Sequence, residues 1–382
     1  MGMEYLYIYS AVSEFVEDYY GEEYHEPWVS VTLETEEVNY NKKGHDRLLI
    51  TPLTFKVITG GELAVDNHSA YARDFEYSLN GGEWVEFSLP TGTSALLVTA
   101  LTAGDEISFR RDNDNFSNAK FVGDETLKFN VYGNLMSMQY GSGFQGQTEI
   151  RNLTKGQVFS HMFEGMGVVN ASDLLLPASV LSENCYEYMF SGCTDLTNAP
   201  ELPATGLALG CYNHMFYNCH NLREAPELPA TILADRCYEE MFNRCGSLTE
   251  IPELPATIMK KYCYRCMFQY CSGLTTVPAN ALPTTTLDDN CFASMFGQCT
   301  NLTNAPDLLA SALTNYCYYN MFTGCTNLNY IKCLAIDKTA YQCTYNWVLN
   351  VSPTGTFVKA SGVTWGSGTD GIPDGWTVIE EA

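Results

Sequence analysis

The chain has 382 residues, 45 acidic against 20 basic side chains, a formal charge of -25, and 46% hydrophobic and 13% aromatic residues. This apolar content excludes a disordered polymer, and the length points to two or three folded units. The charge argues against nucleic acid or anionic lipid as partners, and no apolar run reaches the roughly 18 residues that a membrane helix needs.

Residues 1–47 are acidic and aromatic, with no lysine or arginine before Lys42. Tyr19, Tyr20, Tyr24 and Trp28 stand among Glu17, Asp18, Glu22, Glu23 and Glu26. Apolar anchors within negative charge suit a basic socket, so this segment is expected to attach the chain to a parent assembly. The start Met1-Gly2-Met3-Glu4-Tyr5 lacks the succession of a secretion signal, which suggests a mature chain or another route to an exterior surface.

Residues 48–132 read as an antiparallel β-sandwich. Phe75, Tyr77 and Leu79 alternate with polar residues up to Asn80-Gly81-Gly82, and Trp84 and Phe87 resume the pattern, a hairpin with a turn that needs positive φ. Further strands are expected over 53–58, 95–101, 107–109 and 127–132. Asp112-Asn113-Asp114-Asn115 reads as an exposed turn, with calcium on Asp112 and Asp114 as the alternative.

Residues 133–350 repeat. Cys-Tyr-x-x-Met-Phe-x-x-Cys begins at Cys185, Cys211, Cys237, Cys263, Cys291 and Cys317, a spacing of 26 interrupted by a two-residue insertion near Ala279 and Asn280. Such a period signals a solenoid, in which each unit buries its apolar face against its neighbours. Cys185, Met189 and Cys193 fall on one stripe of a helix with Phe190 beside them, and the proline-rich 196–203 suits an extended piece. Helices pack about 8 to 10 Å apart and strands at about 4.8 Å, so the array is expected to curve with its helices outside. The copies around Val158 to Met166 and around Trp347 and Val348 are degenerate, as terminal units should be. Residues 351–382 read as a small β cap.

All 15 cysteines lie between Cys185 and Cys343. Their spacing along and between helices does not suit bridging, which favours stacked free thiols acting as small hydrophobes over inter-repeat disulfides. Zinc at Cys263, Cys266 and Cys271 would rest on one substituted position. Between the fixed positions the residues vary, among them Asn213, Asn243 and Asn320, which are expected on the outer helix surface with Tyr188, His214, Tyr217, Arg244, Tyr270 and Tyr319. These last six are the candidate partner-binding residues, since such side chains anchor interfaces; a plain solvated surface is the alternative.

The unit Cys-Tyr-x-x-Met-Phe-x-x-Cys-x-x-Leu-x-x-Ala-Pro-Glu-Leu-Pro-Ala-Thr, nearly whole at Cys185 to Thr205 and Cys211 to Thr231, resembles the BspA-like leucine-rich repeat proteins of gut Bacteroidetes. The entry at Gly133 to Ser137, the ending at Gly371 to Val378, and Tyr77 to Trp84 of the β unit resemble the same group. The resemblance implies an α+β chain with a leucine-rich-repeat-type solenoid. It also implies a surface-exposed, non-enzymatic protein linked to adhesion, on a cell or on a phage particle. The expected function is therefore recognition of a protein or glycan on a host or neighbouring cell, with no cofactor. A structural subunit that self-associates as a homo-oligomer is the alternative. His25, His45, His68, His161, His214 and His220 fall in no catalytic or metal motif.

Overall fold

The computed structural model describes residues 45–67, 73–112, 119–151 and 153–381. Tyr19, Tyr20, Tyr24, Trp28 and Asp114 lie outside them.

After the short helix α1 (His45–Leu49) come eight strands: β1 (Leu53–Thr59), β2 (Leu63–Asn67), β3 (Arg73–Leu79), β4 (Val85–Leu89), β5 (Thr93–Val98), β6 (Glu106–Arg110), β7 (Ala119–Gly123) and β8 (Lys128–Asn134). The β3–β4 hairpin forms at the expected place, with Asn80 at φ 52° and Gly81 at φ 68°. This backbone region suits Asn and Gly, which is why the dipeptide carries the turn. The Asn80 side chain adds a bond by accepting the Glu106 N–H at 2.8 Å. One sheet has the order β4-β3-β6-β1-β8-β9 and a second the order β5-β2-β7, where β9 (Val168–Leu175) belongs to the first repeat and pairs parallel to β8. The sheets meet through Phe55 and Phe109 of the larger and Phe121 of the smaller, with ring centroids 4.7 to 4.8 Å apart. β2 and β7 escaped the sequence reading because each has five residues with few aromatic or β-branched ones in alternation, and the eight-residue β9 because Asn170, Ser172 and Asp173 break any alternation.

The repeat segments expected as helices are not helical. From Ser182 onward alternate amides take different partners. Those of Cys185, Glu187, Met189, Ser191 and Cys193 bond three residues back, while Tyr186, Tyr188, Phe190 and Gly192 donate across to Cys211, Asn213, Met215 and Tyr217 of the next repeat at 2.7 to 2.9 Å. Every fourth residue has positive φ: Asn184 at 51°, Tyr188 at 55°, Gly192 at 73°. The segment is thus a coil of linked turns that closes every four residues. An α-helix closes every 3.6 residues or so and bonds within itself. Cys185, Met189 and Cys193 at i, i+4 and i+8 fit both periods, which explains the misreading. Tyr186 and Phe190, also four apart, are both fully buried, and the positive φ at every fourth residue is what separates this coil from a helix.

Direct bonding between units sets their spacing. The column Phe163, Phe190, Phe216, Phe242, Phe268, Phe296 and Phe322 has centroid steps of 5.1 to 5.9 Å. A second column runs from Phe159 through Tyr186, Tyr212, Tyr238, Tyr264 and Phe292 to Tyr318. Both sides of each unit therefore stack at hydrogen-bond spacing, and the mismatch between helix and strand from which curvature was expected is absent. On the extended side Pro200, Pro203, Pro226 and Pro229 lack an N–H, so the central repeats make only isolated parallel bridges such as Val180 with Gly206 and Ile258 with Thr286. Full ladders return where prolines stop, in β8 with β9 and in the parallel sheet of β10 (Tyr330–Cys333), β11 (Thr356–Ala360) and β12 (Thr377–Glu381).

The ends of the columns are closed by large rings. Phe163 packs against Phe55 and Phe121, joining the repeat core to the β core. At the other end Trp347 lies between Tyr318 and Trp365 at 6.2 and 5.6 Å and donates Nε1–H to the Gly371 carbonyl.

Thirteen of the cysteines form two further columns, with Cys266 and Cys333 outside them, and all 15 are free thiols and buried. Cys193, Cys219, Cys245, Cys271, Cys299 and Cys325 each donate S–H to a phenylalanine carbonyl of the preceding repeat at 3.0 to 3.1 Å. The thiol is thus a hydrogen-bond donor between repeats as well as a small hydrophobe. Among the described residues no group of three His, Cys, Asp or Glu side chains converges as metal ligands would, Cys263, Cys266 and Cys271 included. Asp112 pairs with Arg151.

Asn243, expected on the surface, is buried, with its amide nitrogen 3.1 Å from Glu240 Oε2. The four-residue period turns this position inward beside Phe242.

Two outcomes follow for stability. Phe242→Ala removes a fully buried ring from the middle of its column and is expected to cost about 3 to 5 kcal/mol, against about 0.5 or less for Ile232→Ala at a position 77% exposed; urea titration of both variants measures this. Burial pushes Cys211, Cys245 and Cys263 from an ordinary value of 9.0 to about 12. The native state keeps these protons while the unfolded chain gives them up, so their contribution is whole below pH 9.0 and is lost as pH rises toward about 12. Melting temperature should fall steadily over that range, and native protein at pH 8 should resist iodoacetamide until denatured.

Candidate interaction surface

Since Cys, Tyr, Met, Phe and Cys point inward on each coil, the residues between them lie nearer the outside in columns along the array, most of them half-buried, with Arg244, Tyr270 and Tyr345 exposed and Glu239 and Asn243 buried. Those columns begin two residues before the first cysteine of each unit. Four candidates, Tyr188, His214, Arg244 and Tyr270, sit where the coil turns left-handed, with φ of 55°, 56°, 67° and 63°. At the same turning points of other units stand Gly192, Asn218, Asn320 and Gly324, the residue types that tolerate this conformation best, and also Glu240, Cys266, Ser294 and Gln298.

Tyr188 lies between two imidazoles, its ring 4.9 Å from His161 and 4.4 Å from His214, with planes within 18° of parallel. Tyr217 lies 5.4 Å from the same His214. Carboxylates anchor the stack: His161 Nδ1 is 3.0 Å from Glu164 and His214 Nε2 is 3.1 Å from Glu240. The His161 bond holds Glu164 below the usual carboxylate range, whereas burial raises Glu187 nearby. Burial is the largest single influence on Glu240 and works against its charge, but the His214 bond and charge, Arg265 and the Asn243 bond together outweigh it and the carboxyl sits low.

Further along, Arg244 lies over the Tyr270 ring at 4.4 Å, and Arg236 over Tyr262 at 4.5 Å. Arg236 and Arg265 both reach the buried carboxylate of Glu239, at 3.0 and 2.7 Å. Tyr319 belongs to a third cluster: it stacks on Tyr345 at 5.4 Å and meets Tyr316 edge-on, and Tyr316 meets Tyr341 in the same way. Tyr341 is 61% exposed, which leaves its ring face free for a partner.

The structure thus joins Tyr188, His214 and Tyr217 in one cluster, pairs Arg244 with Tyr270, and places Tyr319 in another. Sequence reasoning missed Arg236, Tyr262, Tyr316 and Tyr341, because a helical face excludes positions just before the first cysteine, and it missed Tyr345, which stands at the position of Tyr319 in the degenerate last copy. Aromatic and basic residues recurring at those positions were the available signal.

The family profile described as BspA type leucine rich repeat region matches in six copies, over residues 166–295 and 211–350. No curated protein and no solved structure matches the chain.

Proposed function

Because the chain belongs to the BspA-type leucine-rich repeat proteins, a family of non-enzymatic interaction repeats typically associated with surfaces, we propose that it is a recognition and adhesion protein that binds through the outward columns of its turn coils. The observation that carries this reading is the occupancy of the left-handed positions. A residue other than Gly or Asn costs about 1 to 2 kcal/mol there, and such outliers concentrate where function requires a particular side chain. Tyr188, His214, Arg244 and Tyr270 fill four of them with side chains favoured as interface anchors, beside positions held by Glu240, Cys266, Ser294 and Gln298. The neighbouring rings and guanidinium groups are held by stacking and ion pairs, so little side-chain freedom is lost on contact.

The partner on this reading is a protein or glycan displayed on a host or neighbouring cell, met by a chain exposed on a bacterial surface or a phage particle. Labelled full-length protein on arrays of extracellular-matrix proteins and cell-surface glycans is expected to bind a restricted set. Tyr188→Ala, Arg244→Ala and Tyr319→Ala should each weaken the strongest hit by about tenfold or more, with unchanged melting temperatures. Binding indifferent to all three would place recognition elsewhere.

Attachment is assigned to residues 1–47. The described core begins at Leu53. A chain lacking residues 1–42 should therefore keep the circular dichroism spectrum and melting temperature of its β unit and repeats while failing to co-purify with the parent assembly. Normal incorporation of that chain would move the anchor to the β unit.

A further inference from the structure

The last two coils of the array differ from the others in charge. Residues 315–325 and 341–350 include no acidic or basic side chain, whereas 235–245, in the same register, holds Asp235, Arg236, Glu239, Glu240 and Arg244. Tyrosines take the outward positions, Tyr316 and Tyr319 on one coil and Tyr341 and Tyr345 on the next, and amides stand among them at Asn315, Asn320, Gln342 and Asn346. Two carboxylates that touch these coils accept backbone N–H groups, Asp289 that of Asn315 at 3.1 Å and Asp370 that of Asn346 at 2.6 Å.

The rings form a platform across both coils. Tyr319 and Tyr345 stack at 5.4 Å with planes 15° apart, and Tyr316 stands at 64° to Tyr319 and 83° to Tyr341. Tyr341 is 61% exposed and Tyr345 39%, so accessible ring surface lies at two separate points. Asn315 is exposed as well, and Asn320, Gln342 and Asn346 are half-buried. The Asn315 side chain ties the coils together by accepting the Tyr341 N–H at 3.0 Å.

This composition selects among partners. A tyrosine ring offers an electron-rich face that attracts polarised C–H groups, and its hydroxyl, like an amide, combines donor and acceptor. A sugar ring has the complementary arrangement, with C–H groups on its faces and hydroxyls around its edge. A surface without charge gives no orienting ion pair to an acidic glycan or to a charged protein patch. The rings are already held by one another, so little freedom is lost when a ligand stacks on them.

We propose that this platform binds a neutral glycan chain, with one sugar ring on Tyr341 and another on Tyr345. The inference rests on recognition through the turn coils and narrows it: the uncharged end takes the glycan, and the charged coils before it meet the remainder of the partner.

The test is saturation-transfer NMR on the full chain with neutral oligosaccharides of glucose, mannose, galactose and N-acetylglucosamine, their monosaccharides, and a sialylated and a sulfated oligosaccharide. At least one neutral oligosaccharide should bind, more tightly than its monosaccharide because two rings are engaged, and with an affinity that added salt leaves unchanged, since salt screens only charges. Tyr341→Ala and Tyr345→Ala should each weaken it about fivefold or more at unchanged melting temperature, the scale of one lost ring contact. Tyr345→Phe keeps the ring and should retain most of the binding. Tyr188→Ala and Arg244→Ala should leave these isolated oligosaccharides bound. Failure of every neutral oligosaccharide to bind, a preference for the acidic ones, or binding that survives both alanine variants overturns the proposal. In each of those cases protein hits that are lost in Tyr188→Ala and Arg244→Ala would leave the turn-coil reading standing, whereas the absence of any hit would remove both.

Discussion

Everything in the repeat array depends on how consecutive amides divide their hydrogen bonds. One amide turns back three residues and closes a turn, and the next reaches forward into the following unit. This alternation forces the four-residue period, because only every second N–H is free to cross between units. It also fixes the separation of units near 5 to 6 Å, the ring spacing of the phenylalanine column. Aromatic stacking and the thiol-to-carbonyl bonds take their geometry from that separation. Bulkier residues at the thiol positions would hold adjacent coils apart, and a residue without a donor would leave the phenylalanine carbonyl one bond poorer.

The proline-rich side and the turn side hold the array in different ways. Turn coils bond continuously, and the extended side contributes isolated bridges and apolar contacts from Leu202, Leu228 and Leu254. Regular parallel sheet survives only at the two ends. There the ring columns also terminate, on Phe55 and Phe121 at one end and on Trp347 at the other. The ends therefore carry the close packing that neighbouring repeats supply elsewhere, in keeping with the capping that solenoids require.

Much of this was legible in the sequence. The inward residues were, since Cys185, Met189, Phe190 and Cys193 are apolar at fixed places in every unit. So was the Asn80-Gly81 hairpin, because turn chemistry is local. The coil was not, since i, i+4 and i+8 cannot separate a period of four from one near 3.6. Gly192, Asn218, Gly324 and Asn350, at one position of several units, were the available clue to a left-handed turning point. The surface suffered accordingly: Arg236, Tyr262 and Tyr341 were overlooked and Asn243 was placed outside. The parallel pairing of β8 with β9 lay beyond reach, because no local pattern announces a contact between distant segments.

Near-identity of units raises a problem of counting during folding. A coil that docks one repeat out of step finds the same cysteine, tyrosine and phenylalanine waiting, so most of the native contacts form in the wrong place. Repeat proteins are prone to such misassembly. The two-residue insertion, which folds as a 3-10 turn at Ala279–Ala281, breaks the degeneracy in the middle of the array. A chain displaced by one repeat must accommodate the extra residues opposite a unit that has no room for them. The insertion thus serves as an index mark, and its removal would leave only the two ends to tell the chain where each repeat belongs.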